Sequence, residues 1–424
     1  MTISKIRIAN FKSFADLTVE LNDFNLLVGA NASGKSNFVQ AFQFLRDIAA
    51  QGLEDAISLQ GGVEYLRNIK IGDTQPLIFH VAVEADAIWS SSEGRRYRIH
   101  SFDYEFRLQF DKKGRGYTVV RDRVILTYWR EDLTPEDTRQ PAITAEQRAK
   151  YAAESTVEFK SADGRLEILS TSPESEPLFS PDEIGFLTST VNRSLSKKSL
   201  LLESPFAHFF AESIWDWVRE IGVYDFDPRK AKRVVPVAGR SELETDGSNL
   251  AIVLRNLLSD ESVKRSVRNL CWDNLPYVKS LGVEQVADRF IFFTLREEFA
   301  DDKDLPASLI SDGTANIIAL VVALFFQKQK RFAIFEEPER HLHPKVISGL
   351  MELFKDVSEW RQLLAATHNP GMVKHAGLEN ILLISRDKNG FSRITKPADS
   401  EHVKIFLEND LGVEDLFTDN LLGV

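Results

Sequence analysis

Residues 24–36 read Phe24-Asn25-Leu26-Leu27-Val28-Gly29-Ala30-Asn31-Ala32-Ser33-Gly34-Lys35-Ser36, and this stretch decides the fold. Its last eight residues spell G-x-x-x-x-G-K-[ST] in full, the pattern of a phosphate-binding loop. The run before the loop is short and apolar, as a core strand is. After it, from Asn37 to about Gln51, Phe38, Phe42, Leu45 and Ala49 recur with helical spacing. Strand, loop and helix are the context the motif needs. In that setting Gly29 and Gly34 let the backbone turn tightly, and the amides along Ala30, Asn31, Ala32, Ser33 and Asn37 converge on a polyphosphate at a helix N-terminus. Lys35 is placed to bridge the outer phosphates, and the Ser36 hydroxyl to sit on Mg²⁺.

The surrounding chain sets bounds on this reading. Its 424 residues allow two or three domains, and apolar and charged fractions of 43% and 27% are those of an ordinary soluble protein. Met1 to Ile8 alternates like a strand rather than a signal peptide. The longest apolar run, Ile317 to Phe326, is too short to span a bilayer. A single cysteine, Cys271, excludes an internal disulfide framework and fits a reducing cytoplasm. The net charge of −11, from 63 acidic and 52 basic residues, argues against a surface that coats nucleic acid generally. Three short basic runs remain: Arg95-Arg96-Tyr97-Arg98, Arg229-Lys230-Ala231-Lys232-Arg233 and Lys328-Gln329-Lys330-Arg331. Each reads more readily as a solvated face than as a DNA site.

Strand-like alternation at Ile3, Ile6 and Ile8, at Leu17, Val19 and Leu21, and at Leu77, Phe79, Val81 and Val83 predicts an antiparallel sheet beside the nucleotide core. Tyr104 to Phe110 and Tyr117 to Trp129 form a predicted hairpin. From Glu131 to Pro205 the chain turns polar, with a helical candidate at Gln147 to Ala153 and a hairpin at Val157 to Ser170. Phe206 to Ile221, Asn249 to Leu258 and Ser262 to Leu275 read as helices. The division predicted is an N-terminal lobe over 1–130, an insertion over 131–205, a helical region over 206–288 and a C-terminal lobe over 289–424. Strand and helix alternate again in that last lobe.

Two further segments carry chemistry. Ser311-Asp312-Gly313 precedes an apolar helix; Ser311 or Asp312 suits an N-cap, and Gly313 admits another backbone close to the helix end. Phe332 to Phe335 is a buried-strand run that ends in Glu336-Glu337-Pro338-Glu339, which places two carboxylates at a strand tip, where α/β sheets put ligands. Glu336 would hold the metal shell and Glu337 would polarise the attacking water. Gln362 to Thr367 is a second apolar strand, and His368 follows it within reach of a γ-phosphate. His341 and His343 straddle a turn and lack further ligands at zinc spacing; His343 is read instead as part of a loop that meets a partner subunit.

The ordered set Asn10-Phe11-Lys12-Ser13, Gly29 to Ser36, Ser311 to Gly313, Glu336 to Glu339 and Thr367-His368 resembles the ATP-binding-cassette ATPases of the SMC, RecF and OLD class. Within it the chain looks most like compact stand-alone bacterial members, over roughly 1–120 and 220–424. The resemblance implies an α/β fold: a P-loop ATPase head with a flanking antiparallel sheet and an inserted α+β region. It also implies ATP and Mg²⁺ as cofactors, with Ser36 and Glu336 on the metal and Glu337, Lys35 and His368 catalytic. Asn10, Lys12 and Ser13 would lie near the nucleotide, and Ser311, Asp312 and Gly313 would face it from a second subunit in a head-to-tail, ATP-sandwiched homodimer or larger homo-oligomer.

The chain departs from the pattern with Glu336 where Asp is usual, with Ile310 before the signature, and with no clear lobe-coupling glutamine (Gln60 and Gln109 are the candidates). Neither an appended nuclease cluster nor long coiled-coil arms are evident. The expected role is an ATPase serving a DNA-directed or phage-defence process beside a separate effector, cytoplasmic and not membrane-bound. The alternative is a nucleotide-dependent scaffold that holds a partner protein, with hydrolysis incidental. A transporter subunit fits worst, because loop and signature lie too far apart in the chain.

Overall fold

The computed structural model describes residues 1–90, 96–112, 116–130, 155–162, 164–170, 178–179, 181–204, 216–300, 303–400 and 417–418. The chain divides into two compact units. One comprises Met1–Leu21, Gln40–Arg219 and Asp387–Arg393; the other comprises Asn22–Val39, Glu220–Arg386 and Ile394–Val424.

Strands β1 (Thr2–Phe11) and β2 (Phe14–Glu20) open the first unit. The chain then supplies β3 (Phe24–Val28) and the first turn of α1 (Lys35–Gln51) to the second unit. It returns for β4 (Leu77–Ser90), β5 (Arg96–Phe110), β6 (Tyr117–Arg130), β7 (Ser155–Ala162) and β8 (Arg165–Ser170). These strands form one seven-stranded sheet in the order β2-β1-β4-β5-β6-β7-β8, with antiparallel pairing in each register resolved. The alternation along β4 puts Leu77, Phe79, Val81 and Val83 on the buried face. Phe79 lies opposite Phe106 of β5, and their rings stack at 5.3 Å. Phe44, from a later turn of α1, packs on both. Strands β7 and β8 extend this same sheet, so the hairpin within the predicted insertion is an edge of it. The helical candidate at 147–153 lies outside the described residues.

β6 also carries a fully buried carboxylate. Asp122 accepts a hydrogen bond from the Leu201 amide and is supported by the Tyr104 hydroxyl, so it tethers the 200–204 segment to the sheet. Burial outweighs both bonds and pushes its pKa up to about 7.

The second unit is built on a sheet in which β16 (Ile381–Arg386), β3, β15 (Gln362–Thr367), β14 (Phe332–Glu336) and β9 (Ile221–Tyr224) lie in that order and pair in parallel. β17 (Ser392–Thr395) follows β16 in the sheet order. Buried on both faces, β3, β9, β14 and β15 carry runs of consecutive buried apolar residues rather than alternating ones. This explains a misreading near Ile221. The helix expected to reach it is described only over Asp216–Arg219, and the run Ile221-Gly222-Val223-Tyr224 is instead a core strand paired in parallel with β14. A smaller antiparallel sheet joins β10 (Val235–Pro236), β11 (Val278–Val286), β12 (Phe290–Glu297) and β13 (Asp304–Pro306).

Helices α2 (Leu250–Leu258), α3 (Glu261–Asn274), α4 (Asp312–Val321) and α5 (Pro344–Ser358) supply much of the unit's core. Every residue of α4 from Thr314 to Val321 is buried, so its apolar run is a core helix. Among the described residues no helix is long and apolar enough to cross a membrane.

The raised pKa of Asp122 gives a stability prediction with a definite sign. The folded chain binds this proton more tightly than the unfolded chain. Stability therefore falls as pH rises from about 4 to about 7, then stays penalised. Asp122→Asn keeps the acceptor for the Leu201 amide and removes the charge. In thermal melts, its stability relative to the parent protein should grow across that window by on the order of 3 kcal/mol. An offset that does not change with pH would contradict the buried-charge account.

Candidate functional site

Parallel pairing brings the loop and the acidic pair to one edge of the second unit's sheet. Thr367 is registered against Val28, and Glu336 against Ala366, so the strand ends that precede Gly29, Glu337 and His368 are neighbours. Gly29 is required by crowding more than by turning. A Cβ there would lie 2.3 Å from the Ile384 carbonyl oxygen of β16. The left-handed turn falls instead on Ala32 (φ 64°) and Gly34 (φ 116°).

The Ser36 hydroxyl donates to Glu336 Oε2 at 2.7 Å. Burial raises the Glu336 carboxyl pKa, and this bond opposes the rise. Lys35 Nζ donates to the carbonyls of its own loop, Gly29 at 2.7 Å and Ala30 at 3.2 Å. Burial lowers its pKa, while Glu337, Glu339 and Glu336 act in the other direction. Among the described residues no carboxylate lies within ion-pair distance of this ammonium. A cavity of about 390 Å³ opens beside these groups, lined by Asn31, Lys35, Ser36, Asp225, Glu336, Glu337 and Arg340 among others. These features fit a magnesium-bound polyphosphate: a hydroxyl and a carboxylate supply the hard oxygen donors Mg²⁺ takes, and Lys35 supplies a cation for the phosphates.

Glu337 has φ 46°, unusual for a residue with a side chain, and its amide donates to Ala366 O at 2.8 Å, tying the turn to β15. His368 Nδ1 lies 2.8 Å from Glu337 Oε1. Glu337, Glu339 and His368 present ligand-type atoms within 4.8 Å of one another.

The signature segment behaves as an N-terminus, with Ser311 as the cap of α4, accepting from Thr314 N at 3.1 Å. The backbone that comes close to Gly313 belongs to the same chain, because a Cβ there would lie 2.7 Å from His341 O. Lys232 bonds Asp312 and also Ile310 O at 3.1 Å, and it holds the Asp312 carboxyl below its usual range. None of Ser311, Asp312 or Gly313 lines the cavity of its own chain.

In the first unit, Asn10 is buried with φ 51° and its amide donates to Gly72 O and Gln75 O. The Ser13 hydroxyl accepts from Ser392, and Lys12 is half-buried with its ammonium 5.8 Å from the Phe11 ring centre. His343, read from sequence as a partner-facing residue, caps α5 by accepting from Lys345 N at 3.2 Å. The basic runs are largely committed to carboxylates: Lys230 to Asp246, Lys232 to Asp312, Lys330 to Glu242 and Arg331 to Glu220.

Sequence reading missed three residues. Asp225 follows β9 and pairs with Arg340 at 3.0 Å at the cavity wall; its place one residue past a buried strand was the available signal. Arg386, at the end of β16, lines the same cavity and donates to Ala32 O. Asn316 of α4, 2% exposed, spends its amide on Pro338 O and Arg340 O, both at 2.9 Å, and so fixes the turn that carries Glu337. No motif marks it.

Known proteins resemble this chain at several levels. Residues 24–374 match the family described as AAA domain, putative AbiEii toxin, type IV TA system. The chromosome partition protein Smc of Fusobacterium nucleatum is 27% identical over 157 residues, 36% of this chain and 12% of that protein. An uncharacterized protein of Methanocaldococcus jannaschii is 25% identical over 152 residues, 32% of this chain and 39% of its own length. The chain thus spans well under two thirds of either relative. Among solved structures, an Smc head bound to the C-terminal winged-helix domain of ScpA gives a TM-score of 0.45 at 15% identity, covering 93% of this chain and 98% of that one. The SMC head domain from Thermotoga maritima gives 0.40 at 15% identity, covering 93% and 99%. The family match runs from β3 through the loop, the signature and both strand tips, and on that extent the chain belongs to this family of AAA-domain proteins.

Proposed function

We propose that the protein binds Mg²⁺-ATP at the sheet edge and hydrolyses it, and that two copies close head to tail over the nucleotides. The observation that carries the reading is the 2.7 Å contact of Ser36 with Glu336, beside the 2.8 Å contact of Glu337 with His368. The loop amides and Lys35 would bind the phosphates, and Ser36 and Glu336 would hold the metal, which would supply neutralisation of phosphate charge when bound. Glu337 takes up the proton of the attacking water, and His368 holds its carboxylate and senses the γ-phosphate. Ser311, Asp312 and Gly313 reach the nucleotide from the second copy.

The wider role proposed is a cytoplasmic ATPase for a DNA-directed or defence process, with a separate effector. The partial likeness to an Smc protein supports the DNA-directed side, and the family's description as a putative toxin supports the defence side.

Glu337→Gln should lower steady-state ATP turnover at least about a hundredfold while leaving ATP affinity within severalfold, read by phosphate release and by calorimetry. Turnover at the parent rate would refute the role of Glu337. The same variant should double in solution mass on addition of Mg²⁺-ATP. Adding Ser311→Arg should keep nucleotide binding and abolish the doubling. A tight ATP-driven dimer in the double variant would refute the role of Ser311 across the sandwich.

A further inference from the structure

Glu339 is the acidic residue of the Glu336-Glu337-Pro338-Glu339 turn for which the mechanism above has no use. It is only 5% exposed. The Thr367 hydroxyl donates to its Oε1, and Thr367 is itself fully buried at the end of β15. Its Oε2 is buried and meets no donor. The Glu337 carboxylate is a close neighbour, within side-chain hydrogen-bond reach. Two carboxylates cannot share a dry contact while both are charged, because neither carries a hydrogen to donate. A proton on Glu339 Oε2 resolves both the orphaned oxygen and the repulsion.

We infer that Glu339 carries a proton at neutral pH and donates it as a hydrogen bond to Glu337, which makes Glu339 the positioning residue that aims the Glu337 carboxylate. The inference rests on the role proposed above for Glu337. The proton stays on Glu339 throughout; no bond breaks there, and the residue acts only by direction. The arrangement is a relay of fixed contacts: Thr367 to Glu339, Glu339 to Glu337, and Glu337 to His368. Burial pushes the Glu339 carboxyl up to about 7, in the same sense. The charged groups around this pair are Glu336 at the end of β14, His368 after β15 and Lys35 from the loop.

Two substitutions separate a donated proton from mere packing. Glu339→Gln keeps the shape, still accepts from Thr367 and donates an amide hydrogen where the acid donates its own. Its turnover should stay within about threefold of the parent protein and lose the fall on the alkaline side of pH 7. Glu339→Leu keeps the bulk and loses the donor, and should lower turnover at least about tenfold with little change in KM. Infrared spectra of the nucleotide-free full chain supply a readout independent of catalysis. A carboxylic-acid carbonyl band at pH 6 should weaken by pH 8.5, vanish in part in Glu339→Gln and persist in that part in Asp122→Asn. This arm decides the protonation even if Glu337→Gln proves fully active and the catalytic reading fails. The inference is overturned if Glu339→Gln is as impaired as Glu339→Leu, or if no carboxylic-acid band depends on Glu339. It is equally overturned if the purified protein retains a metal by elemental analysis that Glu339→Gln releases, since an ion would then satisfy Oε2.

Discussion

Everything at this site depends on parallel pairing. In a parallel sheet neighbouring strands end on the same side, so their following loops meet at one edge. Here that edge gathers the phosphate-binding loop after β3, the acidic turn after β14 and the Thr-His step within and after β15, although Gly29 and His368 lie 339 positions apart in the chain. An antiparallel arrangement of β14 would put Glu336 at the far end, and no substitution within the loops would restore it. The buried strands are therefore part of the chemistry, because burial on both faces holds the register.

Precision at the edge comes from strain that neighbouring groups hold in place. Glu337 sits in a backbone conformation that side chains disfavour by about 1 kcal/mol or more. Three contacts keep it there: its own amide on Ala366 O, the Asn316 amide on the two carbonyls beyond it, and the close approach of His341 O to Gly313. Two of the three come from α4, the helix whose N-terminus carries the signature serine. Within one chain, the segment proposed to touch a second subunit's nucleotide is thus braced against that chain's own acidic turn.

Much of this was legible in the sequence. The loop motif, the apolar strands β3, β14 and β15, the two hairpins and the cap at Ser311 are local patterns, and local chemistry produces them. What escaped was non-local. Ile221–Tyr224 looks like the tail of an amphipathic helix until β14 is available to pair with it. Asn316 is one polar residue in an apolar helix, and its meaning lies in carbonyls more than twenty positions away. His343 caps α5, a contact with Lys345 N that its sequence setting does not mark. The hairpin at 155–170 continues the antiparallel sheet, a fact carried by cross-strand register with β6 and by no motif.

The central claim is that Ser36 and Glu336 together form the magnesium shell of a bound nucleotide. Calorimetric titration of ATP, with and without Mg²⁺, into the parent protein, Ser36→Ala and Glu336→Gln tests it most directly. The account predicts that all three bind metal-free ATP alike, through the loop amides and Lys35. It also predicts that only the parent gains affinity with the metal, by at least about tenfold. A metal-dependent gain that survives both substitutions would contradict it.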